Sequence, residues 1–234
     1  MINVVFAETA LERVPSEIQG ERQVSLDAKK RGKPASEILL DANKHYAAMA
    51  KLLSKEKRGR PDIAHDLLKL ALDSPLNKQG LLRVFTHCRG DFVLRVAPET
   101  RIPRSFNQFC GLIEDTWRKK KICAGGKTLL EVKNQSLSSL LKEVDCVTIV
   151  FDPRGKETSL RELVKKFEEL VGTEKDFCLV IGGFPHGDFE NRAALARFEH
   201  VALKGGELTA PAVLAQALAC CQIALEKHEI VNSL

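Results

Sequence analysis

The chain has 234 residues, 44% of them hydrophobic, and a formal net charge of +5. That length and apolar content suffice for a folded core, and no run approaches the roughly 18 uninterrupted apolar residues of a membrane span. The opening stretch, "MINVVFAETALERV", has neither a basic n-region nor a small-residue cleavage site, which predicts a cytoplasmic protein.

The charge is unevenly spread. Residues 1–125 hold 23 Lys and Arg against 15 Asp and Glu, whereas residues 126–234 hold 13 against 16. The surplus cations cluster at 29–33, 55–60 and 118–121, and they suit an anionic polymer if the fold gathers them; taken singly, each is an ordinary solvated run. Seven cysteines (Cys88, Cys110, Cys123, Cys146, Cys178, Cys220 and Cys221) show no C-x-x-C spacing and mostly sit in apolar segments. Reduced, buried thiols are expected of them.

In chain order, "INVVF" (2–6) is a short continuous apolar run of the kind that forms a strand covered on both faces. Residues 20–34 read as a loop. Ile38, Leu39, Ala42, Tyr46, Met49 and Leu52 recur at helical spacing and predict one helix. Pro61 and Asp62 open another beside the cations Lys55, Lys57, Arg58 and Arg60. "LLRVFTHC" and "FVLRV" form a hairpin turning at 89–91, and 119–127 reads as a second loop. Further strands fall at 146–151, 177–182 and 200–203. Leu160, Leu163, Val164, Phe167, Leu170 and Val171 mark an amphipathic helix between two of them. The alternation predicts an α/β fold with a largely parallel sheet.

Ligands of such sheets bind beyond the C-terminal ends of the strands. Three segments follow strands there: "FDPRGKE", "GGFPHGDF" and "KGGELTAP". Gly182, Gly183, Gly187, Gly205 and Gly206 permit close backbone approach, so three such loops together point to a backbone-lined cofactor pocket. "GGKT" (125–128) is no P-loop, because Lys121 stands at the first glycine position and the segment runs into a strand; "RGKE" lacks the Ser or Thr; no G-x-G-x-x-G occurs. His186 reads as a loop histidine, and no His or Cys spacing suits a metal.

The blocks "LLDANKHYAAMAKL", "KRGRPDIAH", "ALDSPLNKQGLLRVFTH", "TRIPRSFNQFCGLIE" and "IGGFPHGDF" together resemble the small-subunit ribosomal RNA pseudouridine N1-methyltransferases, the ribosome-biogenesis branch of the SPOUT superfamily, in an archaeal-like form. The resemblance covers most of the chain. It implies a single SPOUT methyltransferase domain over 1–234, an RNA-binding extension within about 20–125, and a C-terminal trefoil knot. It also implies S-adenosylmethionine as methyl donor, a ribosomal RNA hairpin as substrate, a homodimer, and small-subunit ribosomal proteins as further partners.

The same resemblance assigns roles to residues. Gly182, Gly187 and the segment Leu203, Lys204, Gly205, Gly206, Glu207 and Leu208 correspond to the cofactor loops. Arg58, Arg60, Arg101 and Arg104 correspond to RNA contacts, with Asp62 holding Arg60 or simply favouring the helix start. Gln108 stands where many relatives carry a further arginine. Arg60 and Asp73 are the candidates at the reacting base; Asp73 would orient or accept the departing N1 proton, or else cap the turn at "DSPLN", where Ser74 and Asn77 have the same two readings. The apolar face Val213, Leu214, Ala217, Leu218 and Cys221 of the last helix suits core or dimer packing equally. Two other functions remain open at this point: a non-catalytic RNA clamp in ribosome assembly, and a methyltransferase for another RNA nucleotide.

Overall fold

The computed structural model describes residues 1–232. In chain order its elements are β1 (Ile2–Thr9), α1 (Arg22–Arg31), α2 (Ala42–Met49), α3 (Pro61–Asp73), α4 (Pro75–Lys78), β2 (Leu82–Cys88), β3 (Phe92–Val96) and α5 (Phe106–Lys119). There follow β4 (Lys121–Ala124), β5 (Lys127–Asn134), α6 (Leu137–Val144), β6 (Val147–Thr158), α7 (Leu160–Gly172), β7 (Phe177–Gly182), α8 (Arg192–Leu195), β8 (Glu199–Leu203) and α9 (Ala210–Asn232).

One eight-stranded sheet runs in the order β4-β5-β3-β2-β1-β7-β6-β8. From β2 to β8 neighbouring strands are parallel, and the β3, β5 and β4 edge is antiparallel. The expected α/β fold with a mostly parallel sheet is therefore present. The strand period of two sets its layers: Val4 and Phe6 face a large core shared with α3, α5, α7 and α9, whereas Val5 and Ala7 face a second core with Leu137, Leu140 and Leu141 of α6.

A third, separate cluster joins Val14, Ile18, Val24, Ala28, Ile38, Leu40, Ala48, Met49 and Leu52. Glu114 of α5 fastens this small core to the main one. Its side chain is 1% exposed and accepts from Arg31 (2.7 Å), Lys33 (2.8 Å) and the Leu39 N–H (2.9 Å). Within the span 20–125, then, the early part has its own core, while β2, β3 and α5 belong to the central sheet and its packing.

Four local expectations need correction. Residues 22–31 form α1 rather than a loop: only Val24 and Ala28 are buried, so its apolar signal is thin, and Gly32 ends it at φ 60°. Residues 121–134 form a hairpin, with the turn at Gly125 and Gly126, both at positive φ. The helix expected from Ile38 begins only at Ala42, after the Asp41 carboxylate accepts the Asn43 N–H. Ile38 is extended, Leu39 bridges to Arg13, and Tyr46 is 79% exposed. The helical spacing arose because two differently shaped segments bury side chains in or beside one small core. Finally, six thiols are buried or half-buried, but Cys123 on β4 is exposed.

Candidate ligand and nucleic-acid site

Parallel register decides where the site lies. Ala7 of β1 pairs with Gly182 of β7, Phe151 of β6 with Ile181, and Val201 of β8 with Phe151. The C-terminal ends of these strands therefore emerge along one edge, and the segments after them are neighbours. "FDPRGKE" is not a loop between elements. It is a bulge inside β6, which resumes pairing with β8 at Lys156. At the bulge Asp152, 5% exposed, accepts from the Arg154 backbone N–H (3.0 Å) and lies 3.2 Å from Nδ1 of His200. Gly155 is required there, since a Cβ would come within 2.5 Å of the β8 backbone at His200 and Val201.

The loop after β7 is bent tightly against β1. Gly183 donates its N–H to the Ala7 carbonyl (2.8 Å) and accepts from the Ala10 N–H (2.9 Å). A Cβ on Gly183 would lie 2.4 Å from the Thr9 hydroxyl and 2.9 Å from its Cα. Gly187 sits at φ 82°, Gly205 at φ 125° and Gly206 at φ 88°, conformations that side chains other than hydrogen disfavour. Between Leu203 and α9, Gly205 and Gly206 have open space where a Cβ would point. Among the described residues, the N–H groups of Gly205, Gly206, Glu207 and Leu208 donate to no acceptor within the chain, and Lys204 donates its own to Thr158. This edge presents free backbone donors on glycine-bent loops.

The cations divide into two sets. Arg60 caps the start of α3, its N–H bonded to the Ala10 carbonyl (3.1 Å), so two backbone bonds connect it through Ala10 to Gly183. Its guanidinium grips the Asp62 carboxylate at 2.7 and 2.9 Å. That bond holds its pKa above the usual value and its charge in place. With side chains 38% and 36% exposed, the pair is available to a partner. Arg101 and Arg104 are exposed on the segment leading into α5, which His65 of α3 anchors through a 2.7 Å contact with the Pro103 carbonyl and a stacked ring on Phe109. Gln108 is exposed in the first turn of α5.

Arg58 and Lys57 face inward. Arg58 is 10% exposed and forms a two-bond pair with Glu12 at 2.6 and 2.9 Å. Burial works against its charge, and Glu12 outweighs it, so the guanidinium pKa ends above its usual value. Its Nε and Nη2 are committed to Glu12 and its side chain is turned inward, which removes Arg58 from the exposed set. Lys57 is 13% exposed and reaches the loop after β7. Beside these two lies a cleft of about 640 Å³, in which Arg58 pairs with Glu12 and Arg89 with Glu190, while His87 lies 3.1 Å from the Asp91 carboxylate.

Asp73 lies elsewhere. It ends α3, which at 13 residues spans about 20 Å. Arg60, at the opposite end, abuts the C-terminal edge of the sheet. Just beyond Asp73, the Leu81 carbonyl accepts from Ile2 at the N-terminal edge. Its side chain is 85% exposed and bonded to Lys78 at 2.7 Å, which lowers its pKa and makes it a poorer base. Asp73 and the glycine loops of its own chain are therefore not brought together. Ser74 and Asn77 close the turn: Ser74 Oγ accepts from Asn77 N–H, and Asn77 donates to the Leu72 and Pro98 carbonyls. Sequence reasoning placed Lys57 in a basic run and Asp152 in a turn without showing that both turn inward, since such residues have the same pattern whether they face solvent or not.

Glycine-bent loops with unused backbone donors on the C-terminal edge of a parallel sheet, one of them joined through Ala10 to the surface Arg60–Asp62 pair, are the arrangement of an α/β protein that takes a small ligand. Residues 4–222 match the family model described as EMG1/NEP1 methyltransferase. The chain is 40% identical over 220 residues to the ribosomal RNA small subunit methyltransferase Nep1 of Pyrobaculum neutrophilum, covering 94% of this chain and 96% of the relative. It is 42% identical over 189 residues to the protein of the same name from Staphylothermus marinus, covering 80% of each. Among solved structures, Archaeoglobus fulgidus Nep1 bound to S-adenosylhomocysteine superposes with a TM-score of 0.84 at 36% identity, over 95% of this chain and 98% of that one. The chain belongs to the EMG1/NEP1 methyltransferase family.

Gly183→Ala tests the tight turn against β1. The added methyl must displace backbone at Thr9, and stability should fall by about 1–3 kcal/mol in urea unfolding. Gly172→Ala, on an exposed helix end where a Cβ meets nothing within 4 Å, should leave stability unchanged or raise it by up to about 1 kcal/mol.

Proposed function

We propose that this protein is an S-adenosylmethionine-dependent methyltransferase that modifies N1 of a pseudouridine in a small-subunit ribosomal RNA hairpin, acting in the cytoplasm as a homodimer. The observation that carries the reading is the two-bond backbone link from Gly183 through Ala10 to Arg60, which fixes a half-exposed cation beside the loop after β7. Relatives named as ribosomal RNA small subunit methyltransferases, and a solved neighbour that holds S-adenosylhomocysteine, supply the class of donor and acceptor.

The loops suit an adenosyl ligand. Free N–H groups at Gly205 to Leu208 offer donors to ribose and adenine, Leu203 and half-buried Leu208 give apolar contact, and glycine at 205 and 206 leaves room for close approach. When bound, S-adenosylmethionine supplies an electrophilic methyl group on a sulfonium. The chain's own task is to hold the nucleophilic nitrogen in line with it, which rests on positioning rather than on a covalent intermediate. Arg60, held charged and oriented by Asp62, is suited to grip a pyrimidine carbonyl while the N1 proton passes to solvent water, because a fixed cation stabilises charge that develops on the base. Arg101 and Arg104 are suited to the phosphates flanking a base turned out of its stack, with Gln108 offering a neutral hydrogen bond.

Three outcomes check this reading. With labelled S-adenosylmethionine and matched hairpins bearing uridine or pseudouridine, label should enter only the pseudouridine RNA. Equal labelling would point to another nucleotide, and RNA binding without labelling would point to a non-catalytic clamp.

Arg104→Ala should weaken hairpin binding by about 1–3 kcal/mol and flatten the salt dependence of binding, with little effect on folding. Arg58→Ala, which strands buried Glu12, should act mainly on stability instead.

The dimer is tested by sedimentation equilibrium, where a single 26.0 kDa species that still transfers methyl groups would overturn it. Leu218, 6% exposed, and Leu214, Ala217 and Cys221, all fully buried, pack in the chain's own core. A charge at Leu218 would therefore disturb folding before it reported on assembly.

A further inference from the structure

We infer that Lys57 is a positioning residue that couples the RNA-holding arginine segment to the loop holding the methyl donor, so that binding of either ligand tightens binding of the other. The inference rests on the function proposed above and deepens it.

Lysine normally keeps its ammonium in water. Here the side chain is only 13% exposed, and the ammonium is spent on the loop after β7. It donates to the Asp188 carbonyl, sits 4.7 Å from the centre of the Phe184 ring, and lies 3.9 Å from Glu190. Phe184 itself stands edge-on to Phe189 at 5.3 Å, in the core on that side of the sheet. Gly187 packs against the lysine stem: a Cβ there would meet the Lys57 Cε at 3.0 Å. The loop is thus wrapped around the lysine stem, with an aromatic face and a carbonyl receiving the charge.

The geometry makes a two-point attachment. At its near end, the loop is joined to Arg60 by the backbone bonds Gly183–Ala10 and Ala10–Arg60. At its far end, Lys57 holds Asp188 and Glu190, with the Phe184 ring of the near end over its ammonium. Between these points Arg58 is pinned to Glu12, and the Gly59 carbonyl accepts from Ala42, so the segment 57–60 has little freedom to move independently. An RNA that fixes Arg60 therefore restricts the loop bearing Gly187, which leaves β7 at Gly182, and a cofactor that fixes the loop restricts Arg60. Such coupling must be equal in both directions.

The test is a thermodynamic square. Hairpin Kd is measured with and without saturating S-adenosylhomocysteine, and S-adenosylhomocysteine Kd with and without hairpin, for wild type, Lys57→Met, Lys57→Arg and Lys55→Met. Wild type should show a coupling factor of about fivefold or more, equal in both directions. Lys57→Met should still bind each ligand alone but reduce the factor to near one, Lys57→Arg should restore most of it, and Lys55→Met, which removes the same charge from an exposed site, should preserve it. A wild-type factor of one, or a Lys57→Met protein that retains the wild-type factor, overturns the coupling while leaving the proposed function intact. Failure of the wild type to bind either ligand overturns both. If Lys57→Met shows lower thermal stability, its square is repeated at a temperature where it is fully folded: a factor that stays near one supports the coupling, and a return to the wild-type factor overturns it.

Discussion

The position of β1 between β2 and β7 governs the rest of the molecule. Its parallel register with strands from both halves of the chain brings the end of β1 beside the ends of β7, β6 and β8. A slip of one residue would exchange the sides of Val4 and Phe6 with those of Val5 and Ala7, emptying one core into the other. Because both faces are buried, the register is strongly specified. The turn that follows β1 can then serve as the hub to which Gly183 and Arg60 are both bonded.

From that hub the basic segment 55–60 acquires two distinct roles. Arg60 keeps its guanidinium at the surface against Asp62, while Arg58 turns into a buried pair with Glu12 and Lys57 into an aromatic and carbonyl clamp. A pair as buried as Arg58–Glu12 has little net stabilising value in general, since desolvation offsets attraction. Its consequence here is geometric, because it fixes the direction in which the neighbouring residues point. The net positive charge of the first half is therefore a poor count of the cations available to a polyanion.

Continuous apolar runs made β1, β6, β7 and β8 legible, since a strand covered on both faces has no polar alternation to confuse with loop. The helices α7 and α9 were legible through their apolar faces, although spacing alone did not separate core from surface at Leu218. The glycines at 187, 205 and 206 were legible as loop residues because their backbone demands are local, whereas Gly182 is the last residue of β7, paired with Ala7. The bulge of β6 was not, because "FDPRG" reads as a turn and its continuation depends on pairing with β8. Nor was the distance from Asp73 to the loops: neighbouring motifs in the sequence are separated by the whole length of α3. The inward course of Lys57 and Arg58 was hidden for the same reason, since Glu12 and Phe184 lie far away along the chain.

The order of strands also sets a schedule for synthesis. Val4 pairs on one side with Val84 and on the other with Leu179, so the second edge of β1 has no partner until most of the chain has left the ribosome. At about 5–20 residues per second, the interval between emergence of the first strand and of β7 is on the order of 10–35 s. Throughout it, an apolar strand with one open edge must be kept from neighbouring nascent chains, a burden that falls on chaperones or on transient packing of the early helices.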